Sequence, residues 1–217
     1  MPAASTTRVT TERTSTGRSV LTSTTRPSVR SGNFFARVKT KKLFVKTICT
    51  TNTAWSATRR MVTALVMNVG PEAPGGRHAF PTSAAMAGAD ERFYKEVVRS
   101  GYRGPYFRAI AADVAAGRLD LEALLDPELP DDEVEARLLA LPGVGPYATA
   151  QILMLLGRYS RLILDSWSRP KYAQLNGRKA SDKTIDRRFR RYKQYAGLAF
   201  WLYVTRDWVT ELPAGIK

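Results

Sequence analysis

Cysteine and histidine are almost missing from this chain: Cys49 and His78 are the only ones. A lone cysteine excludes an internal disulfide, a four-cysteine iron–sulfur cluster and a structural zinc site. With one histidine besides, side-chain zinc catalysis is not expected. Acidic residues are scarce too, 19 Asp plus Glu against 34 Lys plus Arg, a formal charge of +15. Such an excess says nothing about fold but favours polyanionic partners, nucleic acid first. No stretch approaches the roughly 18 uninterrupted apolar residues of a membrane-spanning helix, so no membrane partner is expected. The longest apolar runs, 148–157 and 198–204, suit buried helices. Cysteine usage fits a reducing, intracellular (cytoplasmic or nucleoid) setting. Strand-like alternation and internal repeats are almost absent, so the expected fold class is all-α.

What is present divides unevenly. Residues 1–32 are rich in Ser, Thr and Arg and carry one acid, Glu12. Such a segment buries too little apolar surface to offset its ordering entropy and reads as disordered. A basic arm on DNA, an organelle transit peptide and sequence upstream of the true start are the open readings. Residues 33–212 read as one globular core and 213–217 as a tail. Within the core, 43–68 reads as two helical pieces broken at Thr50–Thr53, and 69–83, with its Pro and Gly, as a loop. Helical spacing is predicted over 84–99 and 105–117, split by Ser100-Gly101-Tyr102-Arg103-Gly104. In the acidic block 119–137, Asp131 or Asp132 is expected to cap a helix starting near Glu133. Further helices are predicted over 146–157 and 182–210.

The most informative segment is LLALPGVGPYATA, 138–150. Pro142 stops the first helix, while Gly143 and Gly145 permit left-handed or close-approach backbone. Val144 plugs the turn into the core, and Pro146 suits the first turn of the next helix. Backbone N–H groups beside that helix N-terminus would face an anion such as a DNA phosphate, positioning the protein without reading sequence. An ordinary turn between two helices is the plainer reading. Then RLILDSW (161–167) delivers Asp165 at the end of an apolar run. Such an Asp is often a helix N-cap, and capping is compatible with a second role.

The pairing of LPGVGPYATA with an Asp 18 residues after Tyr147 resembles the helix-hairpin-helix DNA glycosylase superfamily, which includes endonuclease III and the adenine–mismatch, 8-oxoguanine and 3-methyladenine glycosylases. ICTTNTAWSATRRM (48–61) also resembles the interhelical stretch of the 8-oxoguanine and alkyl-purine branches. Together the similar stretches cover about 43–205. The resemblance implies a helical core of two subdomains with the active-site cleft between them. It implies removal of a damaged base flipped from duplex DNA, with Asp165 as the catalytic carboxylate. Asn52 matches the position whose side chain fills the vacated space, although a turn-forming Asn is nearly as good a reading. Trp55 is the other candidate wedge, against the commoner fate of a core Trp.

Members that also cut the backbone carry a Lys at the position of Tyr147, and a phenol cannot form their Schiff base. The implied enzyme is therefore monofunctional, acting on an alkylated or oxidised purine. The alkyl-purine and 8-oxoguanine branches usually carry an antiparallel β domain before the helical core; with about 42 residues before Leu43, that domain is expected to be absent or vestigial here. Hairpins of the family often bind a monovalent cation through backbone carbonyls, by position those of Leu139, Leu141 and Val144. No other cofactor is implied, and a monomer on double-stranded DNA is expected.

Leu141, Pro142, Gly143, Val144, Gly145, Tyr147, Asn52, Arg59 and Lys179 are thus the expected DNA contacts. Ten Lys or Arg lie in 168–193, followed by Tyr195, Trp201, Tyr203 and Trp208. This suits phosphate binding beside an aromatic base pocket, or a solvated helix face whose aromatics, Trp201 and Tyr203 above all, are core. The acidic block is expected to face away from DNA. The alternative to an enzyme is a hairpin module that binds DNA and excises nothing.

Overall fold

The structure, a computed structural model, describes residues 34–209; the expectations for 1–32 and for the tail at 213–217 lie outside the described residues. Nine α-helices follow one another among these residues: α1 (Phe34–Thr50), α2 (Trp55–Val69), α3 (Ser83–Gly88), α4 (Gly104–Ala115), α5 (Asp131–Leu139), α6 (Pro146–Leu155), α7 (Ser168–Asn176), α8 (Asp182–Phe189) and α9 (Ala196–Val204). A two-residue antiparallel pair, β1 (Glu72–Ala73) with β2 (Arg77–His78), is the sole sheet described. The all-α expectation holds, and this small ribbon inside the predicted 69–83 loop is its one addition.

Two hydrophobic cores organise the helices. The first gathers apolar faces of α1 to α6: Phe44, Ile48, Leu65, Phe107, Leu138 and Ile152 are all fully or almost fully buried in it. Their spacing follows helical period, as in Phe44 and Ile48 one turn apart on α1. The second core joins α7, α8 and α9 through Tyr172, Ile185, Phe189, Phe200 and Val204. Phe189 meets Phe200 edge to face at 5.3 Å, a geometry that adds about 0.5–1.5 kcal/mol beyond burial. Residues 156–167 link α6 to α7, and so the first core to the second.

Four sequence-based expectations are corrected. The helix over 84–99 is interrupted: α3 ends at Gly88, and a π-helical turn, Phe93–Val97, follows. There Asp90 takes the Phe93 N–H on its carboxylate, offering the backbone an alternative to helix continuation. The helix within the acidic block begins at Asp131, behind Pro130, with no side-chain cap. Asp131 and Asp132 sit in its first turn and spend their carboxylates on Arg158 and Arg161. α6 stops at Leu155, where Gly157 turns left-handed (φ 82°). The predicted 182–210 helix divides into α8 and α9 around a 3₁₀ segment in which Lys193 adopts φ 50°.

Candidate active site and nucleic-acid interface

The hairpin between α5 and α6 closes by short backbone bonds: Leu141 N–H to the Leu138 carbonyl (3.1 Å) and Val144 N–H to that of Leu141 (3.2 Å). Val144 is buried in the first core, as its plug role predicts. Gly143 has φ 78°, and a Cβ there would lie 2.4 Å from the Tyr106 ring. Glycine is thus required twice over, by backbone and by space. Gly145 differs: it is extended (φ −97°, ψ −177°), exposed, and a Cβ would meet nothing within 4 Å. Close approach at Gly145 therefore concerns an outside partner alone. Pro146 opens α6 as expected.

Tyr106 leads from the hairpin to the second candidate contact. Its ring meets Tyr102 edge-on at 6.1 Å, and the Arg103 guanidinium lies 4.4 Å from the Tyr102 centroid. Arg103 is only 6% exposed. It donates to the carbonyls of Thr51 and Asn52 and to Thr51 Oγ1. Asn52 itself is exposed at φ 44°, the left-handed region that Asn tolerates better than most residues. The turn-forming role of Asn52 and an outward-facing side chain coexist. Hairpin and Asn52 turn are thus joined by Tyr106, Tyr102 and Arg103. By sequence this segment reads only as a helix break, because the partners that make Arg103 a brace, Thr51 and Asn52, lie 52 and 51 residues away.

Asp165 follows Leu162, Ile163 and Leu164, which pack into the protein, Ile163 fully. One carboxylate oxygen, Oδ1, accepts the N–H groups of Trp167 (3.0 Å) and Ser168 (2.6 Å) at the start of α7. In return the Asp165 N–H donates to Ser168 Oγ, which donates to the Ile163 carbonyl. This reciprocal cap fixes the carboxylate at a helix N-terminus, where negative charge is favoured. Oδ2 accepts no hydrogen bond among the described residues, so the cap leaves half of the carboxylate for another purpose. Trp167 forms a cluster of indoles with Trp201 (5.9 Å) and Trp208 (5.4 Å). Trp201 also packs, half-buried, against the second core with Tyr203.

The strap that carries Asp165 is tied to α5 by charge. Arg158 donates to Asp131 (2.8 Å) and to the Leu129 and Asp126 carbonyls. Ser160 donates to Asp131, and Arg161 reaches both Asp132 and Glu135. Burial acts to raise the Asp131 pKa, but hydrogen bonds from Ser160 and Arg158 outweigh it and hold the carboxyl below its usual range. From the other side the Gly197 N–H donates to the Tyr159 carbonyl (2.7 Å). A Cβ on Gly197 would come within 2.1 Å of the Arg161 carbonyl oxygen.

The remaining expected contacts fall as follows. Lys179 is exposed between α7 and α8, and Arg59 is exposed on the first turns of α2. Of the ten basic residues in 168–193, Arg169, Lys171 and Arg190 pair with Asp182, Asp207 and Asp186. Arg188 bonds to Tyr172 and Asn176. Arg178, Lys179, Lys183 and Arg187 have no carboxylate partner among the described residues. Trp55 is 69% exposed rather than core. It borders a groove of about 460 Å³ between α1, α2 and α6, which Arg59 also lines. Tyr147 lies half-buried on α6, one turn before Gln151, another lining residue. Among the described residues no His, Cys, Asp and Glu cluster suits a metal ion, and no helix is long and apolar enough to cross a membrane.

No family model and no curated protein matches the chain, whereas solved structures do. A Clostridium acetobutylicum 8-oxoguanine glycosylase/lyase, in complex with double-stranded DNA containing cytosine opposite 8-oxoguanine, superposes with a TM-score of 0.66 at 22% identity, over 77% of this chain and 60% of that one. The 3-methyladenine DNA glycosylase of Archaeoglobus fulgidus gives 0.61 at 19%, over 79% and 60%. That of Schizosaccharomyces pombe, in complex with abasic DNA, gives 0.62 at 15%, over 80% and 83%. The chain spans about 60% of the length of the first two. Both the hairpin with its acid and these superpositions lead to one statement: the chain has the all-α helix-hairpin-helix fold of the DNA glycosylases.

Proposed function

We propose that this protein is a monofunctional DNA glycosylase that hydrolyses the N-glycosidic bond of an alkylated or oxidised purine in duplex DNA. One observation carries the reading. Asp165 is fixed by Oδ1 at the α7 N-terminus, keeps Oδ2 without a hydrogen bond among the described residues, and follows the LPGVG hairpin. Breaking the bond builds positive charge on the sugar, which a fixed carboxylate stabilises without reorganising. The base leaves with the bonding electron pair and takes up a proton. Water adds its oxygen to C1′ and gives up a proton, for which Asp165 is the acceptor. Tyr147 stands where an amine nucleophile would be needed, so the product is an abasic site in an uncut strand.

The hairpin from Leu141 to Gly145 holds one phosphate, and Arg59 and Lys179 others. Asn52, at the exposed tip of its turn, fills the space that the base vacates. The Leu139, Leu141 and Val144 carbonyls suit a monovalent cation. Leu141 already accepts one turn bond, while no bond among those closing the turn ends on the other two. Such an ion would hold the turn against a phosphate and take no part in bond cleavage. The protein acts as an intracellular monomer.

The test uses duplexes carrying 3-methyladenine, 8-oxoguanine, hypoxanthine or uracil, read for strand cleavage with and without hot alkali. Alkali-dependent cleavage, lost in Asp165→Asn, is the expected result. Tight binding without excision of any lesion would make the protein a DNA-binding module. Cleavage without alkali would refute the inference from Tyr147.

A further inference from the structure

Gln151 is a polar side chain the reading above does not use. It lies on α6 one turn beyond Tyr147, with Leu155 a further turn on, so the three share a helix face. Gln151 and Leu155 form one wall of the groove whose other walls come from α1 and α2. Its Oε1 is shielded from solvent and has no hydrogen-bond partner among the described residues. An unpaired buried amide oxygen is costly, and folded proteins rarely keep one without use. Two of the hydroxyls lining the groove are engaged elsewhere: Thr50 donates to the Thr47 carbonyl (2.7 Å) and Thr58 to that of Cys49 (3.0 Å).

The rest of the groove has the complementary features. Trp55 offers an exposed indole at its edge, and its volume of about 460 Å³ falls in the usual range of small-molecule sites, about 300–1,000 Å³. Arg59, on the same rim, provides positive charge toward a phosphate. An apolar slot with a stacking ring and one unsatisfied carboxamide matches a nucleobase more closely than a peptide or a lipid chain.

We propose that Gln151 is the specificity-determining residue for the extruded base, its carboxamide turning into the groove to accept an N–H from the pairing edge of a 6-amino- or 6-oxopurine stacked against Trp55. A carboxamide carries an acceptor beside two donors. It therefore matches an amino group next to a ring nitrogen, or a ring N–H next to a carbonyl. A base with acceptors alone would leave Oε1 unsatisfied and be rejected. The inference rests on the glycosylase reading for how the base arrives, but not for the recognition itself.

The experiment titrates the whole chain, ¹⁵N-labelled, with 9-methyladenine, 9-methylhypoxanthine and 9-methylpurine, following the Gln151 side-chain amide and the Trp55 indole. In parallel, lesion duplexes are assayed for excision. The first two bases are expected to shift both signals and to bind about tenfold more tightly than 9-methylpurine. Gln151→Met should erase that preference while leaving the Trp55 shift, and Gln151→Glu, which keeps an acceptor, should retain it. Equal binding of all three bases, no shift at Gln151, or a preference surviving in Gln151→Met would overturn the proposal, even in a chain that excises lesions. Intact preference in a chain that excises nothing would overturn the glycosylase reading and leave this one standing.

Discussion

Arg103 lies buried beneath the Asn52 turn and donates from Nη2 to the Asn52 carbonyl across 3.3 Å. The contact spans 51 residues of sequence and holds the exposed tip in a left-handed conformation. Arg103→Met should therefore unfix the turn, lowering stability by about 2 kcal/mol, the scale of a lost charge-assisted hydrogen bond. Asn52→Gly separates side chain from backbone, since glycine accepts φ 44° readily. Its melting temperature should stay within about 2 °C of the parent, while binding to an abasic-site duplex falls about tenfold. A melting loss in Asn52→Gly, with binding intact, would confine Asn52 to turn formation.

Gly143 and Gly145 make a matched pair. Gly143→Ala drives a methyl into the Tyr106 ring at φ 78° and should cost about 2–3 kcal/mol in denaturant unfolding. Gly145→Ala meets open space on an extended backbone, so its stability should change by less than about 0.5 kcal/mol. Its duplex affinity should drop all the same, because the added methyl stands between the hairpin N–H groups and a phosphate. Unchanged affinity in Gly145→Ala would argue against the hairpin as the phosphate contact.

The contrast between these glycines shows how far the sequence could be read. The hairpin was legible because its main determinants are local: Pro142, Gly143 and Pro146 act on adjacent backbone, whereas the Tyr106 ring against Gly143 and the core around Val144 are distant partners. Asp165 was legible as an acid after an apolar run, and its capping bonds lie within three residues. What stayed hidden depends on distant partners. Asp131 looked like a helix cap, but Arg158, 27 residues on, claims its carboxylate. Trp55 allows two readings by sequence, an exposed wedge or a core residue, and only the arrangement of α1, α2 and α6 decides for exposure. Arg103 and Gln151 carry no local pattern that marks one as a buried brace and the other as an unsatisfied amide.

The Asp131 network gives a pH prediction. Its carboxyl pKa is depressed in the folded chain, against an ordinary 3.8. The stability it adds is full above that ordinary value and is lost as pH falls through the depressed one. Unfolding midpoints should therefore decline below about pH 4, and less steeply in Asp131→Asn than in the parent. A parallel decline in both would show that Arg158 and Ser160 do not stabilise the charged form.

Cys49 is completely buried, and burial pushes its thiol up to about 12, against a smaller opposing pull from Arg103. Almost no thiolate exists at neutral pH, so the thiol should resist Ellman's reagent in the native state. Labelling should proceed only through opening of the first core, at a rate that rises with urea. Rapid stoichiometric labelling without denaturant would contradict the packing of α1 against α2 and α6.

Asp165 bears two loads that substitution can separate. Asn preserves the Oδ1 acceptor for the Trp167 and Ser168 N–H groups, and Asn and Asp are comparable caps. Asp165→Asn should therefore melt within a few degrees of the parent. Ala removes the cap and should cost about 1 kcal/mol. If Oδ2 stabilises the charged sugar, both variants should lose at least about 10²-fold in single-turnover excision, the scale of removing one fixed electrostatic contact. The loss in Asn would then owe nothing to unfolding. Full excision by Asp165→Asn would mean that the carboxylate serves only to start α7.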